Sequence, residues 1–245
     1  PAWCVLCPAV DRGPSGPDPP AGHFFFTDRA FVAAGRCRLA VAALTWFVGM
    51  GLAWAVLDLR VTPLMMLRFA QGYGFQQQWR GLESLGRAAP AAVIGSEDQR
   101  FCQHGGVDWI ELERVARGQR GGGGSTVSMQ VAKNLLLWPS RGGGSPLDYL
   151  RKGMEIPLAL VIDAGWGKAR VMEVYLNVAE FGPGIYGVQA ASRVFYGKSA
   201  AELSAAEAGA LISVLPAPLS RVPEFDAGAT RRTRTALAGQ DECLR

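Results

Sequence analysis

Two adjacent carboxylates, Glu97 and Asp98, stand a few residues ahead of His104, one of only two histidines in the chain. The apolar run Ala91-Ala92-Val93-Ile94 leads into them. A carboxylate held against apolar surface is where a protein sets a pKa for general acid or base work. On that reading Glu97 is a catalytic base, and Asp98 or His104 organises the hydrogen bonds around it. The competing reading is a solvated helix start, where acids favour the first turn.

A second segment runs from Gly121-Gly122-Gly123-Gly124 through Ser125-Thr126-Val127-Ser128-Met129-Gln130 to Lys133-Asn134. Glycines let backbone approach a ligand closely, Ser125 or Thr126 suits a helix cap, and the helix start then favours an anion. A nucleotide-binding P-loop is excluded, because Gly124 leads straight into Ser125 without the Gly-Lys-Ser/Thr that loop requires. Gln130 and Lys133 are three apart and share a helix face. The competing reading is a flexible linker before an ordinary helix.

Arg151-Lys152-Gly153-Met154-Glu155 is the third segment. Its four-residue spacing suits a surface ion pair, but two cations beside a carboxylate also suit a diphosphate, with Arg141 as a further cation. The fourth runs from Glu173 through Tyr175, Leu176 and Asn177 to Glu180-Phe181-Gly182-Pro183-Gly184-Ile185-Tyr186-Gly187. Here Glu173 and Asn177 share a face, Gly182 is the expected helix stop, and capping with packing explains the pattern equally well.

These segments need a scaffold. Residues 1–27 are rich in Pro and Gly and are expected to be disordered. Leu39–Leu57 carries no charge and is long enough to span a bilayer, so residues 28–60 read as a transmembrane anchor. Arg29, Arg36 and Arg38 precede it, which places the N-terminus in the cytoplasm and the bulk of the chain outside. Residues 62–222 read as one mainly helical globular domain. Helical spacing recurs from Lys168 to Glu180, and Ser204 with Glu207 forms a capping-box pattern before an apolar run. Residues 223–245, with Arg231, Arg232 and Arg234, read as a weakly ordered basic tail.

A net charge of +4 suits an anionic ligand or membrane surface, and by itself suits nucleic acid as well. The five cysteines are scattered and odd in number, a poor disulfide framework, and Cys102 is expected to be a packed thiol.

Taken in order, the segments closely resemble the peptidoglycan glycosyltransferase family (glycosyltransferase family 51). Glu97-Asp98-x-x-Phe101-x-x-His104-x-Gly106 is similar to its first motif, and Gly123-Gly124-Ser125-Thr126 through Gln130-x-x-Lys133-Asn134 to its second. Arg151-Lys152-x-x-Glu155 is similar to the third, and Glu173-x-Tyr175-Leu176-Asn177 with Gly182-x-Gly184-x-Tyr186-Gly187 to the fourth and fifth. The resemblance covers about residues 85–220. Departures are small: Met129, Val131 and Gly167 stand where Gln, Leu and Ser are common. No Ser-x-x-Lys or Lys-Thr-Gly occurs, so no transpeptidase domain is expected.

The resemblance implies a lysozyme-like helical domain behind the anchor, at the periplasmic face of a bacterial inner membrane. It implies lipid II and the growing glycan chain as substrates, cell-division or elongation proteins as partners, and no nucleic acid. Glu97 and Glu155 become the expected catalytic pair. Asp98, His104, Ser125, Thr126, Gln130, Lys133, Asn134, Arg141, Arg151 and Lys152 become the expected substrate contacts. A divalent cation, Mg²⁺, is expected between Glu155 and the phosphates. A lysozyme-like hydrolase or lytic transglycosylase, and an anchored scaffold without activity, stay open as alternatives.

Overall fold

The computed structural model describes residues 60–119, 124–137 and 144–244, with isolated helical positions at 35, 38, 41, 42, 45 and 49. The chain separates into two units, Pro1–Ala43 and Leu44–Arg245. In the first, Gly35, Arg38, Val41 and Ala42 are helical and exposed. Most of the apolar run read as an anchor, and the 1–27 segment, lie outside the described residues. Among the described residues no helix is long and apolar enough to cross a membrane.

The second unit is mainly helical. In order come α1 (Pro63–Ala70), β1 (Gln76–Gln77), α2 (Ala88–Glu97), α3 (Trp109–Ala116), α4 (Val127–Leu136) and α5 (Pro146–Val178). Then follow β2 (Glu180–Gly182), β3 (Ile185–Tyr186), α6 (Val188–Tyr196), α7 (Ala205–Ile212) and α8 (Ala227–Thr235). Caps explain several boundaries. Thr62 accepts from the Met65 N–H ahead of Pro63, Ser145 and Asp148 cap α5 reciprocally ahead of Pro146, and Ser204 and Glu207 form the capping box read from the sequence.

Helix α2 is the centre of the core. Ala89 through Gly95 are all buried, so it presents no polar face until its last turn. It packs against α7 and α8, while α4 lies along α5. Gly167, at φ 73°, interrupts α5. Beside that break, Asp163 accepts from Ser128 on α4 at 2.9 Å and from Lys168 at 2.8 Å, and the Lys168 ammonium lies 4.5 Å from the Phe101 ring centre. The first three sequence segments are thereby tied to one another through α5.

The helix read across Lys168–Glu180 ends earlier than Gly182. Ala179 turns extended, and Glu180–Gly182 becomes a strand in a small sheet of order β1-β3-β2. Strand β3 runs parallel to β1 and antiparallel to β2. Gly184 is at φ 72°, and a Cβ there would lie 2.0 Å from the Gly74 carbonyl oxygen, so the Gly-Pro-Gly turn closes only on glycine.

Residues 223–244 are no loose tail. Helix α8 buries Ala229, Thr230 and Thr233. A Cβ at Gly95 would come within 2.8 Å of the Arg232 carbonyl, and one at Gly209 within 3.1 Å of Ala229. The buried face is built of Ala and Thr, which pack backbone to backbone against those glycines, and Thr230 and Thr233 return their hydroxyls to carbonyls of Asp226 and Ala229. Few large apolar side chains are involved, so hydropathy does not reveal it. Farther on, Asp241 is buried against Arg87 at 2.7 Å.

Cys102 is likewise not a free thiol: it forms a disulfide with Cys243 across 141 residues. The bond ties the segment between Glu97 and His104 to the C-terminal end.

Candidate active site

Glu97 is the last residue of α2 and Asp98 its C-cap, so the pair closes a helix rather than opening one. A helix buried from Ala89 to Gly95 thus delivers Glu97 to a half-buried position. Gln130 Nε2 donates to Glu97 Oε2 at 3.0 Å, and the Tyr175 hydroxyl donates to Gln130 Oε1 at 3.1 Å. Burial, reinforced by the charges of Glu97 and Asp98, pushes the Tyr175 pKa well above its ordinary value. Tyr175 therefore remains a donor, which fixes the Gln130 amide with its nitrogen toward Glu97.

Asp98 is used by the fold. His104 Nε2 lies 2.9 Å from Asp98 Oδ1, and the Val127 N–H donates to Asp98 Oδ2 at 3.0 Å. Thr126 caps the same helix: it accepts from Met129 N–H at 3.2 Å and donates to the Gly106 carbonyl at 2.6 Å. Gly106, at φ 84°, approaches α5 so closely that a Cβ would sit 2.6 Å from the Ala159 carbonyl oxygen. Asp98, His104 and Thr126, all expected as substrate contacts, lie together at the start of α4 and are bonded there. The anion favoured at that helix start is supplied from within, by Asp98.

Along α4, Gln130, Lys133, Asn134 and Leu137 fall on one face and line a cleft of about 350 Å³. Arg151 and Tyr175 on α5, Arg68 on α1, Glu180 on β2, and Leu215 and Pro216 complete most of its wall. Lys133 is deeply set. Burial lowers its pKa below 10.5, offset by the charge of Glu155 and deepened by those of Arg151 and Lys152. The sequence-read Gln130, Lys133, Asn134 and Arg151 come together here. Arg141 lies outside the described residues.

Glu155 is buried, and both its oxygens are taken. Arg151 Nη1 donates at 2.6 Å and Lys152 Nζ at 2.7 Å. Lys152 also bonds Ser125, so the Gly-rich segment is joined to the cation cluster. At a diphosphate, Mg²⁺ is held by one or two carboxylates together with the phosphates and waters. Each Glu155 oxygen keeps a second lone pair beside its one donor, and among the described residues no three of His, Cys, Asp and Glu gather as a metal site. Glu155 accepts from both cations and so positions them beside the cleft.

Arg68, Tyr175 and Glu180 are not among the site residues read from the sequence. Arg68 is the only charge in the otherwise apolar Pro63–Ala70, which was its one signal. Glu180 reads as part of a helix end until the strand exposes its carboxylate to the cleft. Glu173 and Asn177 are structural: Glu173 accepts from Leu82 N–H at 3.0 Å, while Asn177 exchanges bonds with the Arg80 backbone at 2.8 Å.

A cleft with a cationic wall, and one held carboxylate reached through Gln130, defines an enzyme that handles an anion-bearing substrate. Residues 65–240 match the family model Transglycosylase, and the chain belongs to that family. It is 47% identical over 191 residues to the biosynthetic peptidoglycan transglycosylase of Rhodospirillum centenum, covering 74% of this chain and 80% of that one. Proteins of the same name from Caulobacter vibrioides and Brucella suis are each 42% identical. They span 163 residues (65% of this chain, 69% of the relative) and 184 residues (74% and 80%).

Proposed function

We propose that this chain polymerises lipid II into glycan strands during bacterial cell wall synthesis, by inverting glycosyl transfer. The observation that carries this reading is the joining of two chemistries at one place: Gln130 binds Glu97 and lines the cleft that Lys133 and Arg151 make cationic.

In this reaction Glu97 takes the proton from the acceptor sugar's 4-hydroxyl as that oxygen bonds to the donor's anomeric carbon. The bond from that carbon to the diphosphate breaks, and undecaprenyl diphosphate departs with the electron pair. Gln130 occupies one Glu97 oxygen and leaves the other for the acceptor. Lys133 and Arg151, with Lys152 beside them, meet the charge that grows on the leaving diphosphate. No metal is assigned a step.

The cations also separate this reading from a glycan-cleaving one, whose leaving group is a sugar and which gains nothing from them. The apolar run before Arg60 anchors the chain in the inner membrane beside its lipid-borne substrate, and the helical domain, of lysozyme-like layout, lies in the periplasm. A disulfide between Cys102 and Cys243 suits that oxidising compartment. The test is the product. Purified full-length protein is expected to make long glycan from lipid II and to release no soluble fragments from sacculi. Fragment release without polymer growth would overturn the proposal.

A further inference from the structure

The cleft carries one charge of the wrong sign for a diphosphate. Glu180, on β2, lines it together with Arg68, Lys133 and Arg151. Its side chain is 5% exposed. Arg68 Nε reaches Oε2 at 3.4 Å, and Oε1 lies 3.3 Å from the same nitrogen yet has no hydrogen-bond partner among the described residues. A buried carboxylate oxygen left without a donor is costly, and native proteins rarely keep one unless something else completes it.

What completes it follows from charge. A diphosphate beside Glu180 would be repelled, so a diphosphate belongs at the Lys133 and Arg151 end. The part of the ligand suited to Glu180 is neutral and rich in donors, and a glycan's hydroxyl and acetamido N–H groups are that. We infer that Glu180 is a glycan-binding residue: its Oε1 accepts a hydroxyl or acetamido N–H of the bound saccharide, and Arg68 holds it in place.

The cleft then has a polarity, cationic for the diphosphate and anionic for the sugar, which fixes the direction in which a lipid-linked saccharide lies. Burial already raises the Glu180 pKa, with the Arg68 charge opposing, so a donor from the substrate compensates a carboxylate that the fold leaves under-solvated. The inference rests on the reading of this cleft as the lipid-linked saccharide site.

Binding separates it from that reading. Dissociation constants of the full-length protein are measured for lipid II and for sugar-free undecaprenyl diphosphate, in wild type and Glu180→Ala. The variant is expected to bind lipid II about ten- to a hundredfold more weakly and undecaprenyl diphosphate as tightly as before or more so. Lys133→Ala is expected to weaken both. Equal weakening of both ligands by Glu180→Ala, or no change in either, would overturn the glycan contact. If Glu180→Ala does not fold, the near-isosteric Glu180→Gln is read by the same two constants, again with loss confined to lipid II. A wild-type chain that binds both ligands but polymerises nothing would sink the proposed function and leave the contact standing.

Discussion

Gln130 Nε2 donates to Glu97 Oε2 at 3.0 Å, and that bond has only one stable sense because Tyr175 donates to the amide's other end at 3.1 Å. A glutamine amide turned the other way would face its oxygen to the carboxylate and repel it. Tyr175 thereby holds one Glu97 oxygen as an acceptor and leaves the other for the proton that the proposed reaction has it take. Glu97, the cleft helix α4 and the C-terminal half of α5 are joined by these bonds.

Tyr175→Phe keeps the ring and removes the donor. The expected result is a fall in kcat of about tenfold, with KM nearly unchanged, since positioning and not binding is lost. Gln130→Glu places a second carboxylate beside Glu97, which raises the proton affinity of the pair. The acid limb of the kcat profile is expected to move to higher pH. A profile that stays in place would break the link between Gln130 and the base.

Lys133 has its pKa depressed below 10.5 by burial. Its charge is present at neutral pH and is lost, as pH rises, earlier than that of a free lysine. Affinity for undecaprenyl diphosphate should therefore decline at a pH below 10.5, and Lys133→Arg should move that decline upward. The sign for stability is opposite. Between the folded and unfolded values the unfolded chain binds more protons, so this residue's contribution to stability rises with pH across that window. Titrating affinity and melting temperature together checks both signs.

The Cys102–Cys243 disulfide closes a separation of 141 residues. Removing such a cross-link costs about 2–4 kcal/mol, a fall of roughly 5–15 °C in Tm for a domain of this size. Cys102→Ser, Cys243→Ser, the double variant and wild type under reductant should all melt at the same lowered temperature. Additive losses in the double variant would show that the two thiols act separately.

Asp98 and Glu97 should part company experimentally although they adjoin. Asp98→Ala leaves His104 and the Val127 N–H without their buried partner, and an orphaned buried polar group costs about 1–3 kcal/mol. The expected result is a lowered melting temperature for Asp98→Ala against an unshifted one for Glu97→Gln, by calorimetry.

What the sequence made legible was local. The reciprocal cap of Ser204 and Glu207, and the shared face of Gln130 and Lys133, depend only on short spacings, and both stand in the structure. What it hid depends on distant partners. Asp98 and His104 have the residue types of a ligand site, but their use is set by Val127, far along the chain. The C-terminal helix escaped because it packs through Ala and Thr against Gly95 and Gly209 rather than through large apolar side chains. Cys102 and Cys243 gave no pairing signal in an odd, scattered set.

Glu97→Gln, assayed for lipid II polymerisation with the purified full-length protein, bears most directly on the reaction. The glutamine is nearly isosteric and retains an acceptor for Gln130, so binding and melting temperature should hold. Turnover should fall by about a hundredfold or more, the usual scale of a lost general base. Glu97→Gln turning over lipid II at the wild-type rate would contradict the assignment of Glu97 as the base.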